Sequence, residues 1–172
     1  ELAEKGNAPL YMPLPNALTF PFQPVTASTA FTLGNIVITT LPTPGHTIES
    51  VSYLVDQLAL LTGDTLFTNG VGRPDLKADV SETLEKSKLL YHSLHHLLSL
   101  DENIIVLPAH ISQPVEFDGI PIQATLKEIK EKVNMLKLSE VDFAQIILQR
   151  IPPTPPNYER ISQLNRDGSF DD

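Results

Sequence analysis

The chain has 172 residues, of which 41% are hydrophobic and 19% are charged, a composition typical of one ordinary globular domain with a hydrophobic core. Its formal net charge is −9 at pH 7, so it lacks the basic surface that binds a polyanion, and we expect no nucleic-acid partner. The absence of cysteine excludes disulfides, thiolate zinc sites and cysteine nucleophiles within these residues, so any metal would be held by histidine and carboxylate.

The N-terminal residues predict the last turn of a helix over Glu1–Lys5, a C-cap at Gly6 and Asn7, and then a short strand. No N-cap residue precedes the helical turn, so we expect the chain to begin inside an element. No apolar run approaches the roughly 20 residues of a membrane span, and no signal-peptide pattern is present. The expectation is a cytoplasmic protein that does not interact with a membrane.

Three strands are predicted in the first half, over residues 35–41, 50–56 and 58–64. The first is β-branched and apolar and ends at prolines, which cannot continue a ladder. The gap at Gln57 is too short for a helix, so the second and third strands should form a hairpin.

A helix is predicted after the polar loop that follows residue 70. Asp79 is its expected N-cap, with Glu82 completing a capping box. A spacing of 100° per residue puts the apolar positions on about one face, which comprises Val80, Leu84, Tyr91, Leu94 and Leu98.

The second half predicts one more strand and three helices. The continuous apolar run in residues 102–110 indicates a strand buried on both faces. One helix carries Leu126, Ile129, Val133 and Leu136, another follows Ser139, and a short one ends at Gly168. The PPTPP run at 152–156 predicts a stiff connector. We therefore divide the chain into a domain over 1–151 and a connector with terminal helix over 152–172, with an α/β or α+β layered fold.

Three predicted strands end in a turn that carries a metal-binding type of side chain: His46, Asp64 and His110. A glycine or proline beside each one lets the backbone turn sharply, so the side chains can project into a shared cleft. Taken singly, each residue is more often a hydrogen-bonded loop or turn residue. The helical pair His92 and His96 has metal-binding spacing but lies on the polar face, where a solvated surface pair is the expectation.

The segments PTPGHTIESVSYLV, LLTGDTLFTNGVGRPDL and IIVLPAH, in this order, resemble the second half of a metallo-β-lactamase-fold enzyme. The similarity is to the glyoxalase II and persulfide dioxygenase branch, and it extends from Glu1 to the C-terminus. The ending, RIPPTPPNYERISQLNRDG, is similar to bacterial members in which a rhodanese domain follows, so such a domain is an expected partner.

The resemblance implies the C-terminal part of an αββα sandwich with metal at the edge where strand-end loops meet. His46 and Asp64 would be metal ligands, with Asp64 bridging two ions in dinuclear hydrolases and His110 serving the second. In the dioxygenase variant, an upstream histidine would join His46 and Asp64 on Fe(II). Arg73 would lie near the thiol-derived substrate or hold its loop, or be a plain surface arginine.

The sequence departs from the family in two places. The HxHxDH motif, which supplies up to four ligands, is absent, and no histidine precedes His46. We therefore expect this chain to be metal-poor and inactive alone, with the other half of the domain as a partner. Ala109 stands where members commonly have glycine, which puts the turn at His110 in question.

Three functions remain open at this stage. The chain is part of a metal-dependent enzyme that hydrolyses a glutathione thioester or oxidises a persulfide, using iron or zinc. Alternatively it is a non-catalytic binding or scaffold module that retains the fold, or a generic α/β domain in which the three residues are structural. An uncovered apolar sheet face would also favour a homodimer.

Overall fold

The structure, a computed structural model, describes residues 5–6, 8–14, 18–27, 29–75, 78–111, 114–116, 118–149 and 156–169. The predicted helical turn apart from Lys5, the cap residue Asn7 and residues 152–155 of the connector lie outside the described residues. The chain forms two compact units, one made of Glu1–Thr26 and Pro152–Asp172 and the other of Ala27–Ile151. The proposed division between residues 151 and 152 stays a prediction.

Within the described residues, eight strands, four α-helices and one short 3-10 helix follow one another along the chain. The strands are β1 (Tyr11–Pro13), β2 (Gln23–Val25), β3 (Ala30–Leu33), β4 (Ile36–Pro42), β5 (Val51–Val55), β6 (Ala59–Gly63), β7 (Ile105–Pro108) and β8 (Ala124–Thr125). The α-helices are α1 (Val80–Leu97), α2 (Leu126–Lys132), α3 (Glu140–Gln149) and α4 (Tyr158–Asp167), and the 3-10 helix spans Asn134–Lys137.

The larger unit contains a six-stranded sheet in the order β3-β4-β5-β6-β7-β8. All neighbouring pairs are antiparallel except β6 and β7, which run parallel. The predicted hairpin between β5 and β6 is confirmed. Its turn residues Asp56 and Gln57 both have positive φ, as the tight hairpin turns require. The fold is therefore mixed α/β, as expected.

The core of this unit lies between one face of the sheet and helices α1, α2 and α3 of the same unit. Leu54, Leu60 and Val106 project from the central strands and are almost fully buried. Leu90, Leu94 and Leu97 of α1, together with Ile129 and Phe143, complete the same cluster. Alternation along each strand explains why these positions face the helices, because successive side chains point to opposite sides of a sheet.

The opposite face of the sheet is apolar but exposed. Ile105 is 37% exposed and Leu61 is 42% exposed, and at the outer strands Ile36 is 40% and Leu33 69% exposed. The expectation that the strand within 102–110 is buried on both faces is therefore wrong. Pairing of Ala59 with Ile105 places Ile105 on the face that carries Leu61, away from the core.

The first helix, α1, begins at the predicted capping box. The Asp79 carboxylate accepts the Glu82 N–H at 2.9 Å, and the Glu82 side chain accepts the Asp79 N–H at 3.2 Å. The predicted apolar face is only partly correct, because Val80 is 73% exposed. Thr83 and Ser87 are buried instead, since Ser87 Oγ donates to the Thr83 carbonyl at 2.7 Å and its hydroxyl is satisfied within the helix.

The remaining helices lie close to the positions predicted from the sequence. The predicted segment with Leu126 and Leu136 divides into α2 and the 3-10 helix, and α3 begins after Ser139. The last helix ends at Gly168, which has φ of 64°. In the described part of the chain, no helix combines the length and apolarity required to span a bilayer.

Loss of the α1 cap should destabilise the fold modestly. We expect Asp79→Ala to lower the free energy of unfolding by about 1 kcal/mol, because the N–H groups of the first turn lose their acceptor. Asp79→Asn keeps a cap oxygen and should remain close to wild type. Urea denaturation of the three proteins measures both effects, and equal losses in both variants would contradict the cap assignment.

Candidate metal centre

His46 lies in a sharp turn after β4 that packs on helix α1. Gly45 has φ of 144°, and a Cβ at this position would lie 2.4 Å from Leu90 Cα. Ser93 Oγ donates a hydrogen bond to the Pro44 carbonyl at 2.7 Å. Glycine is therefore required for the close approach, and the helix fixes the backbone that carries His46.

Asp64 follows β6 directly, at a point where the strand pairing is irregular. The register with β7 shifts between Leu61 and Gly63, and Gly63 has φ of 53°. Such a bulge bends a strand and redirects the next side chain. Asp64 consequently turns out of the sheet at its edge.

His110 reaches the same edge because β6 and β7 run parallel. Carboxyl ends of parallel strands meet on one side of a sheet, where binding sites of α/β folds commonly form. The Ala109 N–H donates to the Gly63 carbonyl at 3.0 Å, which places the two strand ends together. Ala109 does not have positive φ, so alanine satisfies the turn there without the freedom of glycine.

The three side chains meet at the Asp64 carboxylate. The Nδ1–H of His110 donates to Asp64 Oδ1, and His46 Nε2 lies 3.6 Å from Asp64 Oδ2. Side-chain exposure rises from 16% for His46 to 29% for Asp64 and 70% for His110. The group is therefore open to solvent on the His110 side and enclosed on the His46 side.

His46 is held in one tautomer by a backbone group. Its Nδ1 lies 2.7 Å from the Arg73 carbonyl oxygen. Because a carbonyl only accepts hydrogen bonds, Nδ1 must carry a proton, and in the neutral imidazole the lone pair is therefore on Nε2. This is the usual arrangement of a histidine ligand, whose second nitrogen donates to a carbonyl or carboxylate.

Three buried hydroxyl groups join the strand ends around the site. Thr65 Oγ1 donates to Thr43 Oγ1 at 3.2 Å, and Thr43 Oγ1 lies 3.1 Å from Ser52 Oγ. All three side chains are at most 1% exposed. They tie the ends of β4, β5 and β6, so the turns that carry His46 and Asp64 are fixed relative to each other.

The donor atoms suit a metal, but their number is small. An ion with bonds of about 2.0–2.2 Å can touch both His46 Nε2 and Asp64 Oδ2, because twice that length exceeds their 3.6 Å separation. His110 Nδ1 is bonded to the carboxylate. Over the described residues, no group of three or more His, Cys, Asp or Glu side chains could hold a metal ion. The role of His46, Asp64 and His110 as ligands stays a prediction.

Arg73 pairs with Asp75 two residues later. Its Nε and Nη2 atoms donate to the two Asp75 carboxylate oxygens at 2.9 and 2.5 Å. The Asp75 side chain is only 6% exposed. The guanidinium thus holds its own loop, one of the roles expected for it, while a substrate contact stays a prediction.

Asp75 should make stability depend on pH. Burial raises the pKa of its carboxyl, but hydrogen bonds from Arg73 and its own N–H, with the charges of Arg73 and Lys86, lower the pKa below the ordinary 3.8 overall. A lowered pKa means that the stabilisation is complete above pH 3.8 and is lost as the pH falls through the lower, folded-state pKa. We expect the stability advantage of wild type over Asp75→Asn to shrink in that acid range. Urea denaturation at pH 7 and pH 3 tests this, and a constant difference would contradict it.

The other histidines lie away from this site, on α1. The His92 side chain is 66% exposed and its Nε2 lies 3.2 Å from Glu140 Oε2. His95 Nδ1 donates to the Tyr91 carbonyl at 2.9 Å, and His96 is exposed. The pair His92 and His96 thus lies on the surface, as expected from the helical pattern.

Two residues that organise the site were not singled out from sequence. A Cβ on Gly72 would lie 1.7 Å from the Asp64 carbonyl oxygen, so Gly72 permits the loop to return beside Asp64. Asp75 holds Arg73. The only available signal was the GRPD tetrapeptide itself, in which a charged pair brackets a proline.

Comparison with known proteins finds sequence relatives and similar solved structures. No family model matches the chain. A hydroxyacylglutathione hydrolase of Neisseria meningitidis is 37% identical over 114 residues, covering 60% of this chain and 42% of the relative. A Staphylococcus aureus metallo-β-lactamase superposes with a TM-score of 0.86 at 25% identity, covering 98% of this chain and 53% of that one. The ETHE1 protein of Myxococcus xanthus gives 0.80 at 26% identity, covering 98% and 70%. The chain thus spans less than half of the hydrolase and about half of the staphylococcal protein.

Proposed function

Starting from the metallo-β-lactamase fold that this chain has, we propose that it forms part of a metal-dependent hydrolase site acting on a thioester of glutathione or a similar thiol. The observation that carries the proposal is the pair of His46 Nε2 and Asp64 Oδ2, 3.6 Å apart at the edge of the sheet. The relative with the hydrolase name supports the substrate class.

His46 and Asp64 would hold the ion. The Arg73 carbonyl keeps Nδ1 of His46 protonated, so the Nε2 lone pair is available without a change of tautomer. The buried hydroxyls of Thr43, Ser52 and Thr65 keep the two turns in place, which limits reorganisation on binding. A metal bound there would supply Lewis-acid polarisation of the thioester carbonyl.

Further ligands are needed for a catalytic site. Such sites usually have at least three protein ligands, and here two atoms face each other while His110 is bonded to Asp64. We therefore include in the proposal a complementary half-domain that carries the HxHxDH sequence. The fraction of the relatives that the chain covers, 42% and 53%, is consistent with such a half.

Oxidation of a persulfide at a single iron is the second candidate. The contact of His110 Nδ1 with Asp64 Oδ1 favours it, because this contact gives His110 an outer-shell role and leaves one metal position at His46 and Asp64. A third ligand from the complementary half would complete two histidines and one carboxylate, the typical set for non-haem Fe(II).

Metal content and turnover test both candidates. We would measure iron and zinc by elemental analysis for the chain alone and for the chain co-expressed with the complementary half. The combined protein should bind metal stoichiometrically and the chain alone weakly. Thiol release from a glutathione thioester without oxygen uptake indicates the hydrolase, and oxygen uptake with a glutathione persulfide indicates the dioxygenase.

A combined protein that folds but binds no metal would overturn the enzyme proposal and leave the binding or scaffold module. Circular dichroism and size exclusion of the same sample establish folding and assembly, and they also report whether the chain alone forms the expected homodimer. The His92→Gln variant is the matched control, because this histidine lies outside the site and should not alter metal content.

A further inference from the structure

We propose that Asp75 is a positioning residue that fixes the tautomer and orientation of His46 through Arg73. The inference rests on the proposed function, in which His46 Nε2 is a metal ligand. The connection runs from the Asp75 carboxylate to the Arg73 guanidinium, along the backbone of Arg73 to its carbonyl, and from there to His46 Nδ1.

The first step is the ion pair between Arg73 and Asp75. Two parallel hydrogen bonds of 2.9 and 2.5 Å join the guanidinium to both carboxylate oxygens. The side chains are 22% and 6% exposed, so solvent screens the pair less than it screens a surface pair. A bidentate pair fixes direction as well as distance, so it restrains the backbone between the two residues.

The second step is the backbone that connects the pair to the carbonyl. Pro74 has a fixed φ and restricts Arg73, the residue before it, to an extended conformation. On the other side, the Gly72 N–H donates to the Thr65 carbonyl at 3.2 Å. The Arg73 carbonyl is thus held between the Gly72 contact and the Asp75 pair, and its direction is set from both ends.

The third step is the hydrogen bond from His46. The Arg73 carbonyl oxygen is 2.7 Å from Nδ1, and His46 is 16% exposed. A displaced carbonyl would leave Nδ1 without this acceptor, and the proton could move to Nε2. In that tautomer Nε2 has no lone pair for a metal, although every candidate ligand is still present.

The tautomer of His46 tests the inference directly and without metal. We would record long-range 15N–1H spectra of the metal-free full chain at alkaline pH, where imidazole side chains are neutral. His46→Asn assigns the signals. Wild type should show Nδ1 protonated. Asp75→Asn should change the ratio of the two tautomers by about tenfold toward Nε2–H, the effect expected for loss of one hydrogen bond.

Two further variants distinguish a specific effect on the His46 tautomer from a loss of the fold. Arg73→Lys keeps the positive charge but loses the planar guanidinium that bonds both Asp75 oxygens. It should therefore shift the His46 tautomer ratio in the same direction as Asp75→Asn. Asp101→Asn makes the same chemical change as Asp75→Asn, but at a loop aspartate remote from His46. It should leave the His46 tautomer unchanged. An unchanged His46 tautomer in folded Asp75→Asn, or in folded Arg73→Lys if the first variant fails to fold, would overturn the inference.

Metal affinity separates this inference from the proposed function. In the combined protein, Asp75→Asn should weaken binding of Co²⁺, followed by its absorption spectrum, by about 10–100-fold, as loss of outer-shell partners does. A tautomer shift in Asp75→Asn, together with a wild-type combined protein that binds no metal, would support the role of Asp75 and reject the proposed function. Metal binding with an unchanged tautomer would do the reverse.

Discussion

Gly72→Ala should prevent the loop after Asp64 from forming. The added Cβ would lie 1.7 Å from the Asp64 carbonyl oxygen and 3.4 Å from His46 Cβ. The nearest atom belongs to the backbone, so a side-chain rotation cannot relieve the clash. We expect a loss of at least about 4 kcal/mol of stability, the range of the most damaging single substitutions. Thermal and urea unfolding measure it.

Gly34→Ala is the matched control for this steric effect. Gly34 has φ of 62°, but a Cβ there would meet no atom within 4 Å. The variant should therefore lose only about 1–2 kcal/mol, the cost of a left-handed conformation for an L-residue. A smaller loss for Gly72→Ala than for Gly34→Ala would show that the loop moves aside and that its return beside Asp64 is not a fixed feature.

In the proposed combined protein, Asp64→Asn should severely weaken metal binding while the fold remains. The amide oxygen can still accept the Nδ1–H of His110, so we expect a change in stability below about 1 kcal/mol. The charge that faces His46 Nε2 is lost, however, and an amide is a weaker ligand. Metal affinity and turnover of the combined protein should fall by more than the roughly 100-fold caused by loss of an outer-shell partner.

Asp101→Asn serves as the control for Asp64→Asn, because the Asp101 side chain is exposed and, in the described contacts, accepts hydrogen bonds only from Asn103. Elemental analysis and thiol release would be measured on both variants. Stoichiometric metal in folded Asp64→Asn would contradict the assignment of Asp64 as a ligand. Equal losses in both variants would point to a general effect of removing negative charge.

The sequence predicted the strand ends of the site and a shared cleft, but not the strand pairing that forms it. Glycines and prolines beside His46, Asp64 and His110 indicated turns, because these residues punctuate regular structure locally. The parallel pairing of β6 and β7, which brings Asp64 and His110 together, depends on contacts between distant segments. A single sequence carries little information about such pairing, so the strand-end positions predicted a shared cleft but not the strand order that forms it.

It was harder to predict which side chains of an individual helix are buried. Val80 was expected in the core because it is apolar, but it lies at the first turn of α1 and is exposed, whereas Thr83 and Ser87 are buried. Burying a helical hydroxyl costs little free energy when it donates to a backbone carbonyl. The amino-acid composition does not reveal such hydrogen bonds. Asp75 was missed for a similar reason, because its role depends on an ion pair and a backbone carbonyl.

The parallel pairing of β6 with β7 also determines when the site can form during folding. Asp64 and His110 are 46 residues apart, and the intervening segment includes the whole of α1. Antiparallel β5 and β6 can join through their short turn, but parallel strands require a crossover, and closing it costs chain entropy before native contacts offset that cost. We therefore expect His46 and Asp64 to come close before His110 joins them. In a refolding chain, the inner part of the site should assemble ahead of its solvent-exposed histidine.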